Sequence, residues 1–230
     1  MARLRYGAAV SERLSTLAQP EPVPTLTLYE FEGCPFCRRV REVVTYLDLA
    51  CDIVPCGRGS RHRSEVVSRG GKSQFPYLVD TASGGMELYE SADIINYLLE
   101  RYGNGSPLPS EDFFSPLSMA TAFLPTLLRA GRGGQVSGEA VAAAPEQKLV
   151  LYNYENNQFC RLVREVLCEL DLPYTMRSAG KGTRRHEAMA VATGGSTRCP
   201  HLLDPNTGAS ISDSAAIVDY LCDTYSQRPA

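Results

Sequence analysis

The chain has 230 residues, 43% of them apolar and 21% charged, with a formal net charge of −3. That apolar share suffices for one large or two small cores, and the near-neutral charge argues against nucleic acid or an anionic membrane as the main partner. No stretch approaches the roughly 18 apolar residues of a membrane span. The most apolar candidate, residues 119–128, is short and interrupted by Thr121, Pro125 and Thr126, so a soluble protein is expected.

Residues 1–24 read as an N-terminal arm. Arg3, Arg5 and Arg13 face a single acid, Glu12, among Ser11, Ser15 and Thr16. No apolar h-region of a secretory signal is visible. Two readings stand: an organellar targeting segment or its remnant, and a disordered, solvated tail. Eight cysteines in so long a chain do not make a disulfide scaffold, so a reducing, soluble compartment is expected.

An apolar stretch at 25–31 predicts a first strand. It runs directly into Cys34-Pro35-Phe36-Cys37, where a strand hands over to a helix. A helix N-terminus offers unpaired N–H groups and partial positive charge, which favour thiolate at the first cysteine. Thiolate is the nucleophilic form. A CxxC is also half of a zinc site, but Cys51, Cys56, Cys160, Cys168, Cys199 and Cys222 make no second one and the three histidines stand alone. A redox dithiol is therefore expected, and no metal.

Val40, Val43, Val44 and Leu47 line one face of the following helix. A short strand at 51–55 comes next. The basic Gly-rich loop at 57–63 reads either as a phosphate or acidic-partner site or as a solvated loop. A short polar helix follows, Pro76 opens a strand at 77–80, and a turn at 83–85 leads to a strand at 86–89. A last helix starts at Ser91, expected as its N-cap.

The pattern then repeats. Residues 29–49, YEFEGCPFCRRVREVVTYLDL, match 152–172, YNYENNQFCRLVREVLCELDL. Further collinear matches pair 57–61 with 180–184, 75–80 with 199–204, and 90–98 with 213–221. Two domains of order βαβαββα are expected, at 25–104 and 147–228. A Gly-, Pro-, Ser- and Ala-rich linker at 105–146 joins them, with a short helix over 120–129 that AGRGG at 130–134 breaks. The second copy carries Asn157-Gln158-Phe159-Cys160 in place of the tetrad, so its nucleophile is an amide. Cys199 precedes Pro200 and is expected near Cys160, as a disulfide or thiol pair or as two small buried hydrophobes. Asp213-Ser214 survives.

This order, with CxxC at the first strand–helix junction, Phe75-Pro76, a hairpin and Glu90-Ser91, resembles the thioredoxin superfamily. Its nearest branches are the glutaredoxins and the glutathione transferase N-terminal domain. The segments YEFEGCPFCRRVRE, GGKSQFPYLVD, PTLLRAGRG and YENNQFCRLVREVLCELDLPY are similar to a plant and algal family with two fused transferase-type N-terminal domains. The resemblance implies an α/β fold of two tandem thioredoxin-like domains and, in plants, a chloroplast location. It implies that Cys34 is the nucleophile, with Cys37 either resolving or packing, and that glutathione is the co-substrate. Pro76 would be the cis-proline, with the Phe75 backbone pairing with the cysteinyl segment of glutathione, and Glu90 with Ser91 would receive its γ-glutamyl group.

One departure is plain. Where many glutaredoxins carry a Lys before CxxC, this chain has Glu30 and Glu32, which oppose thiolate and glutathione; Arg38, Arg39, Lys72 or the basic loop would compensate. The linker is also too short for the all-helical domain of a full transferase. The expected function is glutathione-linked exchange with protein or small-molecule disulfides through Cys34, the second repeat being a non-catalytic pseudo-domain. The alternatives are a redox-sensing scaffold without turnover and glutathione conjugation, with iron–sulfur ligation by Cys34 and external glutathione as a further reading.

Overall fold

The structure, a computed structural model, describes residues 23–105, 123–124, 126–141, 143–180, 183–193 and 195–227. The arm at 1–22, with its targeting reading, lies outside the described residues. The first repeat runs β1 (Leu26–Glu30), α1 (Pro35–Tyr46), β2 (Ala50–Pro55), α2 (Arg63–Gly70), β3 (Tyr77–Asp80), a 3-10 turn (Thr81–Ser83), β4 (Met86–Leu88) and α3 (Ser91–Tyr102). The second runs β5 (Leu149–Asn153), α4 (Gln158–Glu169), β6 (Tyr174–Ser178), α5 (Arg184–Ala192), β7 (His201–Asp204), β8 (Ala209–Ser212) and α6 (Ser214–Tyr225). Each repeat is thus βαβαββα. Among the described residues no helix is long and apolar enough to cross a membrane.

The two repeats are not beads on a string. Their strands form one eight-stranded sheet in the order β4-β3-β1-β2-β6-β5-β7-β8. Within a repeat the first two strands are parallel and the others antiparallel. The seam is β2 against β6, antiparallel, with Cys51 opposite Met176, Asp52 opposite Thr175 and Ile53 opposite Tyr174. Pairing these two edges removes the exposed strand that each repeat would carry alone. One apolar core accordingly spans both halves, from Val40, Val43 and Val44 of α1 through Ile53 and Met176 to Val163 and Leu167 of α4.

Each hairpin is tied to its last helix by a buried aspartate. Asp80 accepts hydrogen bonds from Tyr97 (2.6 Å) and Tyr102 (2.5 Å), and Asp204 from Tyr220 and Tyr225 (both 2.6 Å). Burial alone would raise both carboxyls, but the phenol donors outweigh it and hold them below the usual range.

Ser91 is not the N-cap that the sequence suggested, and its counterpart Ser214 is not one either. Glu90 and Asp213 take those positions with φ of 63° and 87°, and the serines are the first helical residues. The positive φ turns the chain sharply out of the hairpin, so the helix starts at the serine itself, one residue earlier than a serine cap would place it. In the linker, residues 123–124 and 126–128 are helical, while 120–122 and 125 lie outside the described residues. Past the turn at Ala130, Gly131 and Gly133 (φ 50°, 72° and 72°) the linker runs between the two halves. A Cβ on Gly133 would stand 2.7 Å from Glu32 Cβ and 3.2 Å from Glu165 Cα. Only glycine suits both that φ and that gap.

The basic loop is tied down at Arg61, while Arg58 and Gly59 stay exposed. The Arg61 backbone N–H and Nε donate to Asp171 at 3.1 and 2.8 Å, and Arg58 pairs with Gln135 of the linker. The equivalent aspartate of the first repeat, Asp48, is paired with Arg185 of the second at 3.3 Å. Arg61 of the first basic loop and Arg185 near the start of α5 each reach an aspartate of the opposite repeat.

Candidate functional site

The Phe31–Cys34 turn links β1 to α1, closed by Cys34 N–H donating to Phe31 O at 3.0 Å. Cys34 is the N-cap of α1, and its sulfur accepts the Cys37 backbone N–H at 3.3 Å. Pro35 occupies the first helical position, where no N–H is needed. Cys34 is 4% exposed and Cys37 fully buried. The Cys34 thiol is lowered from its ordinary value, chiefly by a hydrogen bond from the Cys37 thiol and further by the Cys37 and Phe36 N–H groups, against the opposing effects of burial and Glu30. Burial, and the proton Cys37 holds towards Cys34, push Cys37 well above the ordinary thiol value. The two thiols are thus separated by environment, the first lowered and the second raised.

Arg38, expected to steady the thiolate, does something else. The Arg38 guanidinium turns to Asn156 at 2.5 Å and pairs with Glu42 and Glu155. The thiolate is steadied by the helix terminus and by Cys37. Lys72 lies over the Tyr89 ring at 5.9 Å.

Of the other predicted residues, Phe75 packs against this turn through Phe31. The Phe75–Pro76 bond is cis. The Phe75 ring meets Phe31 edge-on at 6.1 Å, with the Arg63 guanidinium 5.0 Å over its face. Gln74 donates to Glu90 at 2.5 Å. Glu90 is exposed, and its side chain does not cap α3. The α3 N-terminus at Ser91 thus carries no side-chain cap from Glu90. In the second repeat Asp213 turns its own carboxylate onto the α6 N-terminus, accepting from Ala215 and Ala216 at 2.9 and 3.3 Å. Gln74 and Phe31 were missed by sequence reading; their adjacency to Pro76 and Cys34 was the available signal.

The second tetrad keeps its cap and loses its chemistry. Asn157 Oδ1 accepts from Phe159 and Cys160 N–H at 2.9 and 3.2 Å, the position the Cys34 sulfur holds in the first repeat. Cys160 and Cys199 are both free thiols, so the disulfide reading is corrected. The Cys199 sulfur instead faces Ala179 O at 3.7 Å and Met189 Sδ at 3.8 Å, and burial raises both thiols. The Cys199–Pro200 bond is cis, as at Phe75–Pro76.

Glu30 and Glu32 do not simply face the thiolate. They join Arg41, Glu155 and Arg164 in a buried cluster between the repeats. Arg41 pairs with Glu30, with Glu32 at 3.0 Å and with Glu155 at 2.9 Å. Arg164 pairs with Glu32 at 2.9 Å and Glu155 at 3.0 Å, and donates to Asn153 at 3.1 Å. Arg38 and Arg161 approach from the rim, 3.7 Å from Glu155 and 3.9 Å from Glu32. Glu155 is penalised by burial, but Arg164, Arg41 and Arg38 outweigh that and hold it at about 2. Burial, aided by Glu32 and Glu155 and opposed by Arg41, pushes Glu30 up to about 7. In the second repeat neutral Asn153 stands where Glu30 does. Glu32/Glu155 and Arg41/Arg164 are kept in both copies although the tetrad is not. That was the signal in the sequence.

Fold and site together define a fused pair of thioredoxin-type domains with one dithiol. The Glutathione S-transferase, N-terminal domain family matches residues 28–107 and again 151–229, and the chain belongs to that family through both repeats. Among solved structures, yeast Ure2p in complex with S-p-nitrobenzylglutathione is similar at 24% identity over 46% of this chain and 48% of that one, with a TM-score of 0.34. A Phanerochaete chrysosporium glutathione transferase in complex with oxidized glutathione matches at 21% identity over 41% and 46% (TM-score 0.34). A Bombyx mori glutathione transferase matches at 20% identity over 47% and 65% (TM-score 0.34). The match spans about half the length of the Ure2p chain. No curated protein matches the chain.

Proposed function

We propose that the protein is a glutathione-linked thiol–disulfide oxidoreductase with Cys34 as nucleophile. The carrying observation is the split between Cys34, N-cap of α1 with its thiol lowered, and buried Cys37, raised and donating to it. The Cys34 thiolate attacks the glutathione sulfur of a mixed disulfide; that S–S bond breaks, and the released thiolate takes a proton from solvent. A second glutathione thiolate then attacks the Cys34–glutathione bond, forming glutathione disulfide and restoring the Cys34 thiolate. Full burial of Cys37 favours this external route over resolution by Cys37. The α3 N-terminus at Ser91, without a side-chain cap and beside Glu90, suits the γ-glutamyl carboxylate and amine, and the membership of both repeats in the Glutathione S-transferase, N-terminal domain family supports that choice of thiol. By the plant and algal likeness, the chloroplast is the proposed location.

The test is reduction of a glutathione mixed disulfide by the purified chain with glutathione as reductant. Cys34→Ser is expected to abolish turnover, and Cys37→Ser to retain most of it. Undiminished turnover in Cys34→Ser would sink the assignment.

A further inference from the structure

The repeat that has lost its nucleophile still grips the turn that carries the other one. Glu32, two residues before Cys34, is fully buried, and Arg164 of the second repeat takes both its oxygens, at 2.9 and 3.2 Å. The next residue, Gly33, is held on both sides of its backbone by the linker. Its N–H donates to Gly133 O at 3.3 Å, and its carbonyl accepts the Thr126 hydroxyl at 2.9 Å. The linker backbone also packs closely on Gly33, where a Cβ would meet Arg132 O and Gly134 N at 3.3 Å. The grip is reciprocal. Arg41 of the first repeat holds Glu155, whose N–H also donates to Thr45 at 3.2 Å, in the turn leading to Asn157.

We propose that Arg164 and Thr126 are positioning residues for the Cys34 sulfur: they fix the Glu32–Gly33 turn so that Sγ sits on the α1 N–H groups. The second repeat and the linker are then parts of the working site. The inference rests on the reading of Cys34 as the nucleophile. A bidentate fork fixes direction as well as distance, which a lysine at the same place does not. The Thr126 hydroxyl restrains the peptide immediately before Cys34, so small losses there are felt at the sulfur while the glutathione-facing residues Phe75, Glu90 and Ser91 stay in place.

The experiment is the pH dependence of alkylation at Cys34, read site by site by mass spectrometry, in the full chain and in Thr126→Val, Thr126→Ser and Arg164→Lys. Thr126→Val keeps shape and removes the donor, while Thr126→Ser keeps the donor. Thr126→Val and Arg164→Lys are expected to raise the Cys34 inflection by about half a unit or more, roughly a threefold loss of thiolate below the inflection. Turnover is expected to fall with the thiolate and KM for glutathione to hold, whereas Thr126→Ser restores the wild-type profile. Should Arg164→Lys fail to fold, the Thr126 pair decides alone. A low wild-type inflection that Thr126→Val leaves unmoved would overturn the positioning role and spare the functional reading. A wild-type inflection at or above the free-cysteine value of about 8.5 would overturn both.

Discussion

Replacing Glu30 with Gln tests the buried cluster most directly. The cluster holds two guanidinium groups, Arg41 and Arg164, and three carboxyls, Glu30, Glu32 and Glu155. Glu30 stands at about 7 in the folded protein against an ordinary value of 4.5. Because the folded value is the higher one, the stability tied to this group is fully present below about 4.5 and is lost as pH rises towards about 7. At about 1.4 kcal/mol per unit, that loss is on the order of 3 kcal/mol. Gln has no proton to lose, and Asn153 shows that a neutral amide can sit at the equivalent place and accept from an arginine. Urea unfolding of wild type and Glu30→Gln at pH 4.5 and pH 8 is the assay. Near-equal stability is expected at pH 4.5 and a variant more stable by about 3 kcal/mol at pH 8. Because both chains share all other titrating groups, the difference between them isolates Glu30. A difference independent of pH, or a variant weaker at pH 8, would refute the reasoning. The same change removes a negative charge that opposes the Cys34 thiolate, so its alkylation inflection is expected to fall.

Cys37→Ala removes the thiol that donates to Cys34, and the Cys34 inflection is expected to rise towards the free-thiol value, with Cys37→Ser raising it less because a hydroxyl still donates. Gly133→Ala places a methyl against Glu32 at a positive φ; strain and overpacking together are expected to cost about 2 to 4 kcal/mol in chemical denaturation. An unchanged midpoint there would mean the linker can move aside. Asp80→Asn and Asp204→Asn each weaken two phenol hydrogen bonds to a charged acceptor, for about 2 kcal/mol apiece and nearly additive in the double variant. Since both carboxyls lie below their ordinary values, the wild-type advantage should shrink as pH falls below about 4; a constant gap between pH 7 and pH 3 would contradict that.

Local physics explains what the sequence carried. The period of the apolar residues marked α1 and α4, the turn residues marked the hairpins, and Cys34-Pro35-Phe36-Cys37 marked the strand–helix junction, because each of these depends on neighbours a few residues away. Duplication was legible for the same reason, as two copies of one local pattern. What lay beyond the sequence was everything set across the seam. That Glu30 opposes the thiolate was legible, but the partners of Glu30, Glu32 and Arg61 were not, because a chain read residue by residue does not show that β2 pairs with β6. Once it does, these charges find partners across the seam as well as within their own repeat: Arg164 beside Arg41 for Glu32, Asp171 for Arg61, Arg185 for Asp48. Ser91 was placed one residue out because the positive φ of Glu90 belongs to the turn geometry and not to residue preference. The sequence by itself determined two thioredoxin-type units and one dithiol, since hydrophobic period and capping chemistry are short-range. Only the tertiary structure decided that the units share one sheet and one core, and that the second braces the first, since buried charges find their partners in space.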